Sequence, residues 1–250
     1  MIYGLYHSAA GMLTTEYRQN VLANNLANAD TVGFKRDVPT FAERVPAVEG
    51  GRRGGPSAAD LAGLSGGLWL GRTYTDFSEG QYQQTGSPTD VALQGPGFLA
   101  VQLPTGPLYT RDGRLMLLPD GTLAAAVDGA PVLGIGDLPI RLDPRGGPLT
   151  IDDSGRVRQD GVTRGQLALV DFTNGAGLRK VGTNRFAAPA AGAVASPALV
   201  RSGYIENAGV QPVAELVDML QATQSYQLNA RMVALQDESL GRLIGATLRA

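Results

Sequence analysis

Cysteine is absent from this 250-residue chain, and histidine occurs once, at His7. The absence of cysteine excludes disulfides, thiolate nucleophiles and cysteine-based zinc or iron–sulfur sites. One histidine cannot build a multi-histidine metal site, and its place in a predicted helix offers no Ser-His-Asp triad. No phosphate-binding or dinucleotide-binding glycine motif is complete either. The sequence therefore predicts no cofactor, no metal ion and no catalytic residue.

Charge and long apolar runs are also scarce. Charged residues make up 18% of the chain, and the net charge is -2. This balance argues against a nucleic-acid partner, which requires a basic patch. No run approaches the ~18 apolar residues of a membrane-spanning helix, so we expect no membrane insertion. No basic residue precedes Arg18, and we therefore expect no cleaved secretory signal.

The N-terminal segment is predicted to be a helix. Residues 2–29 contain no proline, and glycine occurs there only at Gly4 and Gly11. Apolar residues recur at steps of three or four, which is typical of one helix face: Tyr6, Ala10, Leu13, Tyr17 and Val21. Three asparagines follow, at Asn24, Asn25 and Asn28. They either mark a fraying helix end or hydrogen-bond to neighbouring helices and set their register.

The C-terminal segment is predicted to be a second, longer helix. Pro212 suits a first helical position, and no proline follows it. A coiled-coil-like seam is predicted at Leu216, Met219, Tyr226, Val233, Leu240 and Ile244. Roughly 36 residues at ~1.5 Å each give a helix of about 54 Å. A compact domain of this size cannot bury such a helix alone, so we expect it to pair with the N-terminal helix.

The middle of the chain is predicted to be a β-domain. Short apolar runs alternate with turn signals such as Asp-Gly and Ser-Gly, which favours short antiparallel strands. We therefore expect a mainly β central domain flanked by terminal helices. The predicted boundaries are an N-terminal helical segment at 1–45, a glycine-rich linker at 46–71, a β-rich domain at 72–200 and a C-terminal helical segment at 201–250.

Several motifs resemble one protein family. The run VLANNLANADTVGFKR at residues 21–36 resembles the signature of flagellar rod, hook and hook-associated axial proteins. The same family pattern continues in order through residues 77–80, 84–93, 95–98, 109–113 and 201–208. The resemblance spans nearly the whole chain.

This resemblance implies a structural subunit of the bacterial flagellar basal-body rod, and not an enzyme. Such a subunit polymerises through its terminal helices into a hollow shaft that transmits torque and encloses the export channel. Its partners would be copies of itself, other rod proteins and the flagellar type III export apparatus. It would lie in the periplasmic rod, exported without a cleaved signal. Residues 74–78 and the short path between Leu133 and Leu142 favour a proximal (FlgF-like) over a distal (FlgG-like) rod protein.

Two alternatives from other classes remain at this level. A wall-acting hydrolase needs only a pair of carboxylates, which composition cannot exclude. An adhesin-type binding module would use the β-domain as its recognition surface. Most aspartates of the middle domain adjoin glycine or proline, which favours turn chemistry over catalysis.

Overall fold

The computed structural model of the protein describes residues 2–43, 68–172, 177–188 and 193–247. The chain divides into two compact units. The helical unit contains Met1–Ala27, Asp37–Thr75 and Gln211–Ala250, and the β unit contains Asn28–Arg36 and Asp76–Val210. Most of the predicted linker, residues 46–67, lies outside the described residues.

Two long helices dominate the helical unit, as the sequence predicts. Helix α1 spans Ile2–Ala27 and helix α2 spans Pro212–Thr247. Pro212 is the first residue of α2, where its missing N–H leaves no hydrogen bond unmade. The two helices pack against each other. No described helix is both long and apolar enough to cross a membrane.

Two short antiparallel strand pairs also belong to the described part of the helical unit. Strand β1 (Asp37–Val38) pairs with β4 (Tyr74–Thr75), and β2 (Phe41–Glu43) pairs with β3 (Leu68–Leu70). Strand β3 also contacts α1. The β2–β3 pair therefore brings together residues 41–43 and 68–70, which are far apart in sequence.

Short antiparallel strands build the β unit and confirm the predicted fold class of the middle of the chain. They are β5 (Tyr82–Gln84), β6 (Val91–Gln94), β7 (Phe98–Leu103), β8 (Gly106–Thr110), β9 (Leu115–Leu117), β10 (Leu123–Ala125), β11 (Leu149–Ile151), β12 (Arg156–Gln159), β13 (Val162–Gln166), β14 (Leu169–Phe172), β15 (Arg179–Val181), β16 (Arg185–Ala187), β17 (Ala193–Ala195), β18 (Leu199–Ser202) and β19 (Tyr204–Glu206). One sheet has the order β15-β16-β8-β7-β14-β17, and another has the order β11-β12-β13. Strands β9 and β10, β6 and β18, and β5 and β19 form pairs.

Aspartates make the tight turns between these strands. Between β9 and β10, the Asp120 carboxylate accepts hydrogen bonds from the backbone N–H and the hydroxyl of Thr122. Between β12 and β13, Asp160 and Gly161 both have positive φ, at 52° and 76°, which suits a two-residue hairpin. Asp152 likewise accepts hydrogen bonds from the backbone of its own turn. These contacts support turn chemistry as the role of the aspartates.

The core of the β unit is one contiguous apolar cluster. Strands of both larger sheets contribute to it, including Val101 from β7 and Val157 from β12, both fully buried. Leu123 from β10 is also fully buried, as are Val132 and Val200. All residues of this cluster belong to the β unit, and their burial stabilises it.

The two units do not follow the predicted segment boundaries. Residues 28–36 and 201–210, predicted to belong to the terminal helical segments, are part of the β unit, whereas residues 72–75 are part of the helical unit. The physical reason is backbone pairing: Gly33 N–H donates to Glu206 O at 2.8 Å, and strand β19 pairs with β5. Local sequence patterns do not show such pairings.

We predict that Leu123→Ala lowers the free energy of unfolding of the β unit by about 2–5 kcal/mol, because it leaves a cavity where a fully buried side chain stood. Chemical denaturation of the full chain, followed by β-type circular dichroism, measures this. The control is Val162→Ala, which shortens a side chain that is 56% exposed, and it should change stability by less than about 0.5 kcal/mol. Equal effects of the two substitutions would contradict this account of the core.

Candidate functional site

The contact between α1 and α2 is built from small and polar residues. A Cβ atom added to Gly4 would lie 2.6 Å from Gln236 Nε2, and one added to Gly11 would lie 2.9 Å from Asn229 Nδ2. Gly11 lies seven residues after Gly4, whereas Asn229 lies seven residues before Gln236. The helices therefore run antiparallel, and two glycines admit two amide side chains at successive heptad steps.

Hydrogen bonds extend this contact to the other end of α1. Gln19 Nε2 donates to Thr223 Oγ1 at 3.1 Å, and Arg18 pairs with Asp218 at 3.1 Å. The Arg18–Asp218 pair is about 40% exposed and adds little stability. Shape and hydrogen bonding therefore help to specify this contact.

Asn25 is the asparagine that the structure places inside this contact. It is 1% exposed. Its side-chain amide pairs with the backbone N–H and C=O of Asp37, both at 2.9 Å, and Nδ2 also donates to Glu215 at 3.5 Å. Asn24 is exposed, and Asn28, in the β unit, is half-buried. Of the two interpretations of the asparagines, Asn25 follows the one in which an amide bridges to a neighbouring helix.

The remaining predicted seam residues fall into two groups. Half-buried side chains on the side of α2 that contacts α1 are Met219, Tyr226, Val233 and Leu240, and Tyr17 and Val21 of α1 are half-buried too. Exposed side chains are Tyr6, Leu13, Leu216 and Ile244. The structure therefore brings one predicted row of α2 to the helix contact and leaves the row of Leu216 and Ile244 outside it.

A second apolar surface runs along α2, which we call the outer stripe. Its six side chains are between 48% and 75% exposed: Val213, Val217, Leu220, Leu228, Met232 and Leu235. At ~100° per residue they lie within an arc of about 120°, roughly opposite the buried Ala222 and Glu215. A helix that is apolar on two opposite sides needs partners on both, and α1 covers one of them.

In the β unit, three buried charged residues meet at Glu206, and we call Lys35, Arg111 and Glu206 the Glu206 cluster. Lys35 Nζ donates to Glu206 Oε1 at 2.6 Å, and Arg111 Nη1 donates to Glu206 Oε2 at 3.2 Å. The side chains of Lys35 and Glu206 are 1% exposed. Burial lowers the pKa of Lys35, and the neighbouring Glu206 carboxylate opposes that shift.

Further hydrogen bonds surround this cluster. Arg111 donates to the backbone oxygens of Leu93 and Gly95, at 3.2 and 2.7 Å. The hydroxyl of Tyr82 donates to Glu79 at 2.6 Å, and this bond lowers the pKa of the Glu79 carboxyl. Burial, together with the same bond, raises the pKa of the Tyr82 hydroxyl. The arrangement is a fixed hydrogen-bonded network.

The sequence interpretation missed the Glu206 cluster. Lys35 and Glu206 both lie in motifs that resemble the flagellar axial family, yet they are 171 positions apart. A lysine that follows Gly33 and Phe34, and a glutamate between Ile205 and Asn207, were the available signals. Among the described residues, no group of histidines and carboxylates could hold a metal ion.

Comparison with known families gives three matches along the chain. Residues 5–35 match the family described as "Flagella basal body rod protein". Residues 92–159 match "Flagellar hook protein FlgE/F/G D1 domain", and residues 201–246 match "Flagellar basal body rod FlgEFG protein C-terminal". These ranges cover most of α1, much of the β unit, strand β19 and nearly all of α2.

Individual relatives match over almost the full length. The chain is 32% identical to the flagellar basal-body rod protein FlgG of Buchnera aphidicola subsp. Schizaphis graminum, over 97% of this chain and 99% of that protein. It is 32% identical to the rod protein FlgF of Caulobacter vibrioides, over 92% and 91%. It is 30% identical to FlgG of Bacillus subtilis, over 98% of each. The chain belongs to the flagellar basal-body rod protein family.

Proposed function

We propose that the chain polymerises through α1 and α2 into the hollow axial shaft of the rod, which transmits torque and encloses the export channel. The observation that carries this proposal is the outer stripe. Six exposed large apolar side chains along one side of α2 form a surface that monomeric proteins rarely leave open. Copies of this chain and other rod proteins are the proposed partners that cover it.

The contact between α1 and α2 supports a coiled-coil-like pairing within each subunit. Its two glycine–amide contacts repeat at a step of seven residues on each helix. Buried polar groups in such seams fix register and orientation more than they add stability. Outside the seam, Tyr6 and Leu13 of α1 are also seven residues apart and exposed, at 74% and 68%. They extend the apolar surface that neighbouring subunits would contact.

An interface that closes on itself, as in a symmetric dimer, would not build a shaft. Surfaces that differ on the two partners, repeated from copy to copy without closing, generate a helical array. The outer stripe of α2 and the exposed face of α1 differ in composition, which supports contacts of this heterologous kind. Family membership is independent support, since the relatives are named for the rod itself.

Within the rod, we place the chain at the proximal (FlgF-like) position. Residues 74–78 and the short path between Leu133 and Leu142 support this position. Relatives of both names match at similar identity, so the position in the rod is tested directly: basal bodies purified from cells are imaged, and the chain is located in the density. Density at the distal end would contradict the proximal assignment.

The chain is a structural protein and not an enzyme, because the rod protein families it matches are structural. This confirms the prediction from sequence. The hydrolase and adhesin alternatives have no support from the relatives or from the described residues.

We predict that Leu228→Asp and Leu235→Asp abolish motility by preventing completion of the rod. Each would bury an unpaired carboxylate at a subunit contact, at a cost of several kcal/mol. The side chains are exposed in the single chain, so the free energy of unfolding should change by less than about 0.5 kcal/mol. Motility assays and electron microscopy of basal bodies measure the first effect, and denaturation of the purified chain measures the second.

The matched control for these variants is Ala234→Asp, at an exposed position of α2 outside the outer stripe. It should assemble and swim. Normal swimming of the two stripe variants would show that the stripe is not an assembly surface. Loss of folding in the purified chain would show instead that the stripe belongs to the interior of the monomer.

We predict that Gly11→Leu separates the helix pair, because a side chain there meets Asn229 and cannot fit without displacement. The expected loss of unfolding free energy is about 1–3 kcal/mol. Helical circular dichroism during denaturation of the full chain measures it. Gly241→Leu is the matched control, since a Cβ at Gly241 meets no atom within 4 Å. Adding Asn229→Ala to Gly11→Leu should restore part of the loss, and no restoration would argue against this contact.

A further inference from the structure

The chain crosses between its two units four times, after Ala27, Arg36, Thr75 and Val210. On the β-unit side, these crossings are made by three segments: 28–36, 76–80 and 206–210. All three segments are joined to the Glu206 cluster. The covalent crossings from the β unit therefore lie in segments that this cluster holds.

The side chains of the cluster join the three segments directly. Lys35 Nζ donates to Glu206 Oε1 and to Ser78 O, both at 2.6 Å. The backbone N–H of Gly80 donates to the same Glu206 oxygen at 2.8 Å. One carboxylate and one ammonium group therefore link residues of all three segments, and Arg111 joins them to the core of the β unit through Glu206 Oε2.

Backbone hydrogen bonds repeat these links. Gly33 N–H donates to Glu206 O at 2.8 Å, and Gly209 N–H donates to Phe34 O at 3.0 Å. Gly33 has a φ of +68°, and a Cβ there would lie 2.4 Å from the carbonyl carbon of Arg111. Only glycine fits this position, because a side chain would be strained and would also collide with the backbone.

The energetics indicate what such a cluster is suited to do. Withdrawing three charged groups from water is costly, and an apolar cluster of the same size would often stabilise a fold equally well. What buried ionic bonds add is direction and resistance to opening, because separating either partner strands a charge in a dry interior. This property suits a site where connected segments must stay together under force.

We propose that the Glu206 cluster is the junction through which mechanical force passes between the β unit and the terminal helices. It holds the three connecting segments together, so that a pull on any one of them is shared by the others and by Arg111. This inference rests on the proposed function, since only a rotating shaft loads the junction. It assigns a role to Lys35 and Glu206 that is distinct from subunit contact.

The first test asks whether the three segments open as one. Amide hydrogen exchange of the full-length Glu206→Gln variant should be roughly hundredfold faster than wild type at Gly33, Gly80 and Gly209 together. Leu123, whose N–H donates to Ile140 O in the core, should keep its rate. Asp128→Asn, which breaks a partly exposed pair with Arg185, is the control and should change none of the three. Acceleration at Gly80 alone would overturn the proposal.

A second variant keeps the test decisive if Glu206→Gln unfolds the whole β unit. Lys35→Met combined with Glu206→Gln removes the ion pair and leaves Arg111 with its two backbone acceptors. This double variant should fold, with the three amides still exchanging about tenfold faster than wild type. Wild-type exchange at all three would overturn the proposal.

The last test applies load. A strain carrying the double variant should contain as many rods as wild type and swim normally in dilute buffer, but slow more steeply as viscosity is raised. Equal speeds at every viscosity would overturn the force-carrying role. Absence of the wild-type chain from purified rods would instead overturn the proposed function, and the exchange results would still show whether the cluster holds its segments together.

Discussion

The ion pair between Lys35 and Glu206 is the interaction on which the arrangement of the connecting segments of the β unit depends. It joins a segment that follows the first helix to a strand that precedes the last one, and both side chains are almost completely buried. Ser78 O accepts a further hydrogen bond from Lys35, and Gly80 N–H and Arg111 donate to Glu206. The Glu206 cluster holds the connecting segments of the β unit together. The apolar core of the β unit fills the space between its short strands.

The helical unit follows a different principle. Its inner contact combines glycine–amide pairs with a half-buried apolar row of α2, whereas further large apolar side chains lie exposed on the outside. Such a distribution is unfavourable for a monomer and suitable for a subunit, because the apolar area gains its free energy only on association. The β unit is therefore stabilised by its own core, whereas the helical unit presents a surface for assembly.

Much of the fold could be predicted from local pattern. The absence of proline and the three- and four-residue spacing gave both helices, and the Asp-Gly turns gave the short strands, because these signals act within a few residues. The Met219, Tyr226 and Val233 row was also readable from its spacing. The glycine–amide contacts were not, since Gly11 and Asn229 carry no apolar signal. Nor was the Glu206 cluster, because a buried lysine and a solvated one look alike in sequence.

The separation of 171 positions between Lys35 and Glu206 also governs when the protein can fold. During synthesis from the N-terminus, Lys35 lacks the Glu206 carboxylate until more than four-fifths of the chain has been made. Helix α1 lacks its contacts with α2 for longer still, because Asn229 and Gln236 follow Glu206 in the sequence. Closing contacts across such long loops is slow. A chain that ends before Glu206 therefore lacks part of the β unit, whose last residue is Val210. The two helices can pair only after all the residues of the β unit have been made, because α2 follows Val210.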